Sequence, residues 1–233
     1  MVAKIDGPRV AAKSRMTKQL VVFLHGYGAD GNDLIAIAQQ WQSFMPDATF
    51  VSPHAPEICA MAPDARQWFP LKFPVSEDDP ASHWEGLNKA RPVLDAFLDA
   101  ELKRYGLTDA NLLLVGFSQG TMLALHAGLR RAEAPAGILG YSGMLVGPEH
   151  LGTANARLAN GQHPPILLVH GTQDDVVSAE AMFLAAGHLA EAGIPNQWHL
   201  STGIGHGIDG GGLQHGLLFA TQSLKIKRAA PAL

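Results

Sequence analysis

Gly116-Phe117-Ser118-Gln119-Gly120 follows directly on the apolar run Asn111-Leu112-Leu113-Leu114-Val115. A serine on a sharp strand-to-helix turn projects its hydroxyl above a sheet. Flanking glycines allow the tight backbone path and the close helix packing that a Cβ obstructs, so the segment reads as a nucleophile elbow. A serine hydroxyl is a weak nucleophile near neutral pH. It needs a base within hydrogen-bond reach and a carboxylate that orients the base. Two later segments offer these groups: His170-Gly171-Thr172-Gln173-Asp174-Asp175, after an apolar run, and Gly203-Ile204-Gly205-His206-Gly207, after the last strand-like run. The chemistry such a set performs is acyl transfer through a covalent intermediate.

Of the eleven histidines, His206 is the preferred base. His199 lies inside a strand run and His215 among helix-like residues. His25 and His170 precede glycines at strand ends, where structural hydrogen bonding is expected. Asp174 and Asp175 are not separated by residue type or spacing, since either could reach an imidazole from this loop and one could instead cap the following helix.

These residues need a frame that brings loops together, and the pattern of the chain supplies one. Strand-like runs at Leu20 to Leu24, Ala48 to Ser52, Asn111 to Val115, Gly137 to Tyr141, Ile166 to His170 and Gln197 to Ser201 alternate with helical runs. The helical runs are Asn32 to Met45, Ser82 to Tyr105, Thr121 to Arg131 and Ser178 to Ala192, with Ser82 and Glu85 spaced as a capping box and Gly106 and Gly193 as stops. The βαβ order and near-continuous apolar strands predict an α/β fold with a mostly parallel central sheet covered by helices on both faces. The proline-rich stretch from Pro53 to Pro80 cannot be regular throughout and reads as a surface excursion, either a lid or a binding loop. Within it, Trp68, Phe69 and Leu71 either wall an acyl pocket or anchor the loop to the core, and Val176 and Val177 could line the same cavity from the other side.

A length of 233 residues fits a single domain, 1–233, with a core over about 17–224, and 47% hydrophobic with 16% charged residues is ordinary for a globular enzyme. The formal charge of −4 gives no basic footprint for nucleic acid. No segment approaches the roughly 20 apolar residues of a membrane span, so no stable membrane insertion is expected. Met1 to Lys18 lacks the apolar block of a signal peptide, which makes the cytoplasm the expected compartment. Cys59 is the only cysteine, which excludes an intramolecular disulfide. The sequence sets no oligomeric state, and a homodimer is compatible with it.

Rival readings fare worse. Gly26-x-Gly28-x-x-Gly31 after a strand has the form of a dinucleotide fingerprint, but the second strand, Thr49-Phe50-Val51-Ser52-Pro53, ends without the acid that takes the ribose hydroxyls. A nucleotide-binding oxidoreductase is therefore disfavoured. No H-E-x-x-H and no paired ligand spacing argues for a metal, so neither cofactor nor metal is expected. A catalytically inactive binding module would have no reason to keep Ser118, His206 and an acid of the Asp174-Asp175 pair together.

Leu24-His25-Gly26-Tyr27-Gly28-Ala29-Asp30-Gly31, with the serine elbow, His170-Gly171 through Asp174, and Gly205-His206, resembles the acyl-protein thioesterase and phospholipase/carboxylesterase family of α/β-hydrolases over roughly residues 17 to 224. The resemblance implies an α/β-hydrolase fold and a serine carboxylesterase with Ser118 as nucleophile, His206 as base and Asp174 as its orienting acid. It also implies an oxyanion hole from the backbone N–H groups of Tyr27 and Gln119. The substrates it implies are small-molecule or lipid-like carboxylic esters, with thioesters and lysophospholipids as variants. The chain departs from the family pattern at Asp175 and Ser178, where prolines are usual, and at Tyr27, where leucine is more common.

Overall fold

The computed structural model describes residues 3–59, 64–71 and 80–226. In chain order the first half forms β1 (Arg9–Val10), β2 (Gln19–Leu24), α1 (Gly31–Leu34), α2 (Ile37–Trp41), β3 (Ala48–Val51), β4 (Glu57–Ile58), β5 (Arg66–Gln67) and α3 (Pro80–Tyr105). The second half forms β6 (Leu112–Phe117), α4 (Gln119–Gly128), β7 (Gly137–Tyr141), β8 (Ile166–Gly171), α5 (Ala179–Glu191), β9 (Asn196–Ser201) and α6 (Gly210–Ser223). The seven-stranded sheet runs β1-β3-β2-β6-β7-β8-β9. Only β1 is antiparallel to its neighbour. β4 and β5 pair separately as a short hairpin.

Alternation along β2 and β6 divides the core into two layers. Leu20, Val22, Leu24, Leu112 and Leu114 pack under α3, α4 and α5, with Leu94, Met122 and Met182. Val21, Phe23, Leu113 and Val115 pack under α1, α2 and α6, with Leu34, Trp41 and Phe219. Strands covered on both faces must be apolar at every position, which is why these runs show no period-2 polarity. β3 lies on one side of β2 and β6 on the other. The winding therefore reverses at β2 and opens a crevice beyond the carboxyl ends of β2 and β6, where α/β sheets place their sites.

Several expected elements shift. The helix predicted over Asn32 to Met45 is two short helices. Leu34, Ile37, Ala38, Trp41 and Met45 are buried at near-helical spacing, but Gly31-Asn32-Asp33 is a weak helix start, and Asp30 caps α1 by accepting from Asn32 N at 2.7 Å. The capping box expected at Ser82 is not the helix start, because α3 begins at Pro80, where a fixed φ and a missing N–H suit the first turn. Glu85 pairs with Lys89 at 2.6 Å instead. The helix ends as expected, with Gly106 at φ +66°. The excursion from Pro53 to Pro80 contains the β4–β5 hairpin, and its residues 60–63 and 72–79 lie outside the described residues. So does the tail beyond residue 226.

Candidate active site

β6 delivers the chain into Ser118 with φ +53° and ψ −117°, and α4 begins at the next residue. A non-glycine residue in that region is strained and persists only where its surroundings fix it. Here Ser118 N donates to Tyr141 O at 2.9 Å, and Thr121 Oγ1 donates to the same carbonyl at 2.8 Å. The flanking glycines follow from contact. A Cβ at Gly116 would collide with the Gly120 carbonyl and Thr121 N, and one at Gly120 with the Leu24 carbonyl. The Ser118 residue is 8% exposed.

β2 ends beside the elbow. A Cβ at Gly26 would lie 3.4 Å from Ser118 Cβ, so the His25-Gly26-Tyr27 turn passes directly over the serine. His25 is fully buried. Ala55 N donates to its Nε2 at 3.0 Å, which assigns the proton to Nδ1, and Nδ1 donates to Gly26 O at 2.8 Å. Burial holds this imidazole neutral, with its pKa lowered to about 4. The Gly26 carbonyl and the Tyr27 N–H belong to one planar peptide unit. Fixing the carbonyl therefore fixes the direction of the Tyr27 N–H. Gln119 N lies at the first position of α4, directly after Ser118.

Asp174 and His206 come from the loops that follow β8 and β9. His206 Nδ1 lies 3.0 Å from Asp174 Oδ1 and 2.8 Å from Asp174 Oδ2. The Asp174 side chain is completely buried, and its Oδ1 also accepts from Val176 N at 3.0 Å and Val177 N at 2.9 Å. Burial pushes its carboxyl upward, but the Val177 amide, the His206 imidazole and the Val176 amide outweigh this and hold it below the usual carboxylate range. Asp175 is exposed, so the structure separates the two acids: Asp174 meets His206, and Asp175 faces solvent. With Nδ1 donating to a carboxylate, His206 Nε2 is left to accept a proton. The His206 ring stands 5.0 Å, centre to centre, from Phe117, the residue before the serine. Among the described residues no hydrogen bond joins Ser118 Oγ to His206. The two loops are tied together by Gln173 N to Ile204 O at 2.8 Å and Gly203 N to Thr172 Oγ1 at 2.9 Å.

Trp68 and Phe69 are each 1% exposed, which is the placement of anchors. Trp68 Nε1 donates to His25 O at 2.9 Å, and Phe69 packs where α3 carries Gly86. Val177 is buried at 3%, whereas Leu71 and Val176 are partly buried against the same core. His25 and His170 are the hydrogen-bonders expected at strand ends, but neither their hold on the Tyr27 peptide and the Asp174 loop nor the part of the Gln119 side chain was legible in the sequence. No spacing rule marks a histidine whose work is to hold a neighbouring peptide.

A cavity of about 240 Å³ opens past the end of β7, lined by Met144, Leu145, Val146, Ala181, Leu184 and Ala185 among others. A larger concavity of about 1080 Å³ includes Lys18 and Asp47, which precede β2 and β3. It therefore lies at the amino ends of the strands, away from Ser118 and Asp174. Among the described residues no helix is long and apolar enough to cross a membrane, and no group of three or more His, Cys, Asp or Glu could hold a metal ion.

The sheet order and the strand-elbow-helix unit define an α/β-hydrolase. Residues 5–223 match the model of the phospholipase/carboxylesterase family, and the chain belongs to it. Acyl-protein thioesterase 1 of Schizosaccharomyces pombe is 31% identical over 171 residues, covering 72% of this chain and 74% of that protein. The crystal structure of esterase PE8 matches with a TM-score of 0.88 at 42% identity, covering 95% of this chain and 100% of that one. SOBER1 of Arabidopsis thaliana matches with a TM-score of 0.75 at 26% identity, covering 88% and 99%. The protein is a hydrolase of the carboxylesterase and acyl-protein thioesterase type.

Proposed function

We propose that the protein hydrolyses carboxylic esters by two-step acyl transfer with Ser118, His206 and Asp174 as its triad. The observation that carries this reading is the pair formed by His206 Nδ1 and the buried Asp174 carboxylate at 2.8 Å, across the crevice from a serine strained to φ +53°. Substrate binding closes the Ser118–His206 contact, as catalytic hydrogen bonds often tighten only in the complex. His206 Nε2 then takes the hydroxyl proton as Ser118 Oγ attacks the carbonyl carbon. The negative charge on the former carbonyl oxygen is met by Tyr27 N–H and Gln119 N–H, each worth roughly 2.7 to 4 kcal/mol. The proton passes from His206 to the leaving oxygen. A water then repeats the cycle on the acyl-enzyme.

Leu71 and Val176, the partly buried members of the predicted lining, flank the acyl group, while Trp68, Phe69 and Val177 brace that wall from behind. Thioester hydrolysis is the second reading, favoured by the likeness to acyl-protein thioesterase 1 of Schizosaccharomyces pombe. Hydrolysis of p-nitrophenyl esters from acetate to long-chain acyl, run with the intact protein and Ser118→Ala in parallel, tests the proposal. Turnover that disappears in the variant supports it. A chain-length profile that Leu71→Ala and Val176→Ala leave unchanged removes the acyl wall, and turnover retained in Ser118→Ala removes the mechanism.

A further inference from the structure

His170, the next-to-last residue of β8, is 1% exposed and points into the loop that carries Asp174. Its Nε2 stands 2.8 Å from Val177 O and 3.2 Å from Asp174 Oδ2. Both neighbours are acceptors, so Nε2 must carry a proton. The better-placed acceptor is the Val177 carbonyl. Val177 is itself one of the two residues whose N–H holds Asp174 Oδ1, at 2.9 Å. His170 thus closes a strap from Asp174 to Val177 and lays the positive edge of its ring beside the second carboxylate oxygen. Asp174 is left with a backbone amide clamp on one oxygen, this N–H edge beside the other, and His206 Nδ1 across both.

We propose that His170 is a positioning residue for the hydrolytic reaction, holding the Asp174–Val177 strap so that Asp174 keeps both oxygens on His206. The inference rests on the triad reading above. It goes beyond it by giving a second histidine a role that acts through Asp174 and touches no substrate. A fully buried carboxylate has two ways to rotate away from its imidazole: the strap can open, or the carboxyl can turn about its own bond. Val176 and Val177 amides resist the turn, and His170 resists the opening.

The test compares steady-state kinetics on a p-nitrophenyl ester and the low-field Nδ1 proton resonance of His206 in four proteins: intact, His170→Leu, His170→Gln and Ser118→Ala. Leucine fills the space without a donor, whereas glutamine places an N–H near the position of Nε2. His170→Leu is expected to lose roughly 10- to 100-fold in kcat with KM unchanged, the scale of losing a group that orients a reacting partner, and to lose or broaden the low-field signal. His170→Gln is expected to recover kcat to within a few-fold of the intact protein, together with the signal. A purely structural role would lower the melting temperature and the titratable active fraction but leave kcat per active site and the resonance in place, and that result overturns the proposal. Equal losses in the leucine and glutamine variants overturn it as well. If His170→Leu does not fold, His170→Asn, whose amide is too short to reach Val177 O, is compared with His170→Gln, and equal kcat in the two is the overturning result. Turnover that survives Ser118→Ala refutes the triad reading itself, whereas a dead Ser118→Ala beside a fully active His170→Leu refutes only the positioning role.

Discussion

Gln119 Oε1 accepts from Trp68 N at 2.9 Å, so the residue that follows the candidate nucleophile holds the loop that follows β5. The same side chain donates through Nε2 to Phe69 O at 2.7 Å, and it is fully buried. One amide therefore satisfies both polar groups of a backbone stretch that has no strand partner there. Elbow and loop are bound as a unit.

Gln119→Ala is expected to destabilise the fold by about 3 kcal/mol, because it strands a buried N–H and a buried carbonyl at once. Thermal unfolding should show this as a fall of about 6 to 12 °C for a chain of this size. Its backbone N–H survives the substitution. Activity below the unfolding range is therefore expected to fall through misplacement of the 68–71 loop, seen as a changed KM for longer acyl chains.

The adjacent acids separate cleanly in mutagenesis. Asp174→Asn keeps the shape but turns a pure acceptor into a group with a donor side, favouring the wrong His206 tautomer, and a loss of kcat on the order of 10⁴-fold is expected. Asp175→Asn, at an exposed position, should stay within about threefold of the intact protein, as exposed charges contribute little. Single-turnover and steady-state rates of the two variants side by side check both expectations.

His126 on α4 gives a pH signature unrelated to catalysis. It is 2% exposed, and among the described residues neither ring nitrogen has a hydrogen-bond partner. It stands edge-on to Trp84 with ring centres 4.8 Å apart. Burial, then the charges of Arg130 and Arg91, lower its pKa from 6.5 to about 3. Between those values the unfolded chain takes up a proton that the folded chain refuses, so stability falls as pH drops through that window. At pH 5 this costs about 2 kcal/mol. His126→Leu is expected to flatten the loss of stability between pH 7 and pH 4 measured by urea unfolding. A variant with the same slope as the intact protein contradicts it.

The strands were the most legible part of the fold, since runs such as Gly137 to Tyr141 are apolar throughout and bounded by loop residues. The segment from 31 to 45 was misread as one helix because its buried residues keep helical spacing across a break that only tertiary packing reveals. α6 was visible only as helix-like residues around His215, because it opens on Gly210-Gly211-Gly212 and depends on Asp209, which accepts from Gly212 N at 2.9 Å. At the candidate site, residue types and order singled out Ser118 and His206, and the fold places both at the carboxyl ends of the strands. Residue type and spacing left Asp174 and Asp175 open and the family resemblance favoured Asp174; the loop's backbone gives the physical reason, aiming one carboxylate at His206 and leaving the next exposed. Trp68 and Phe69 carried two readings at once, because an aromatic pair among prolines looks the same whether it faces a cavity or the core. His25 was legible as a hydrogen-bonder but not as the group that orients the Tyr27 peptide.

The central claim is that Ser118 is the nucleophile and that His206, held by Asp174, activates it. Stoichiometric labelling with an alkyl fluorophosphonate, followed by peptide mass spectrometry, tests it most directly. One phosphonyl group per chain is expected, on Ser118 alone, with labelling slowed at least a thousandfold in His206→Asn, on the order of the loss when a triad base is removed. Labelling on another residue, or full-speed labelling of Ser118 without His206, would contradict it.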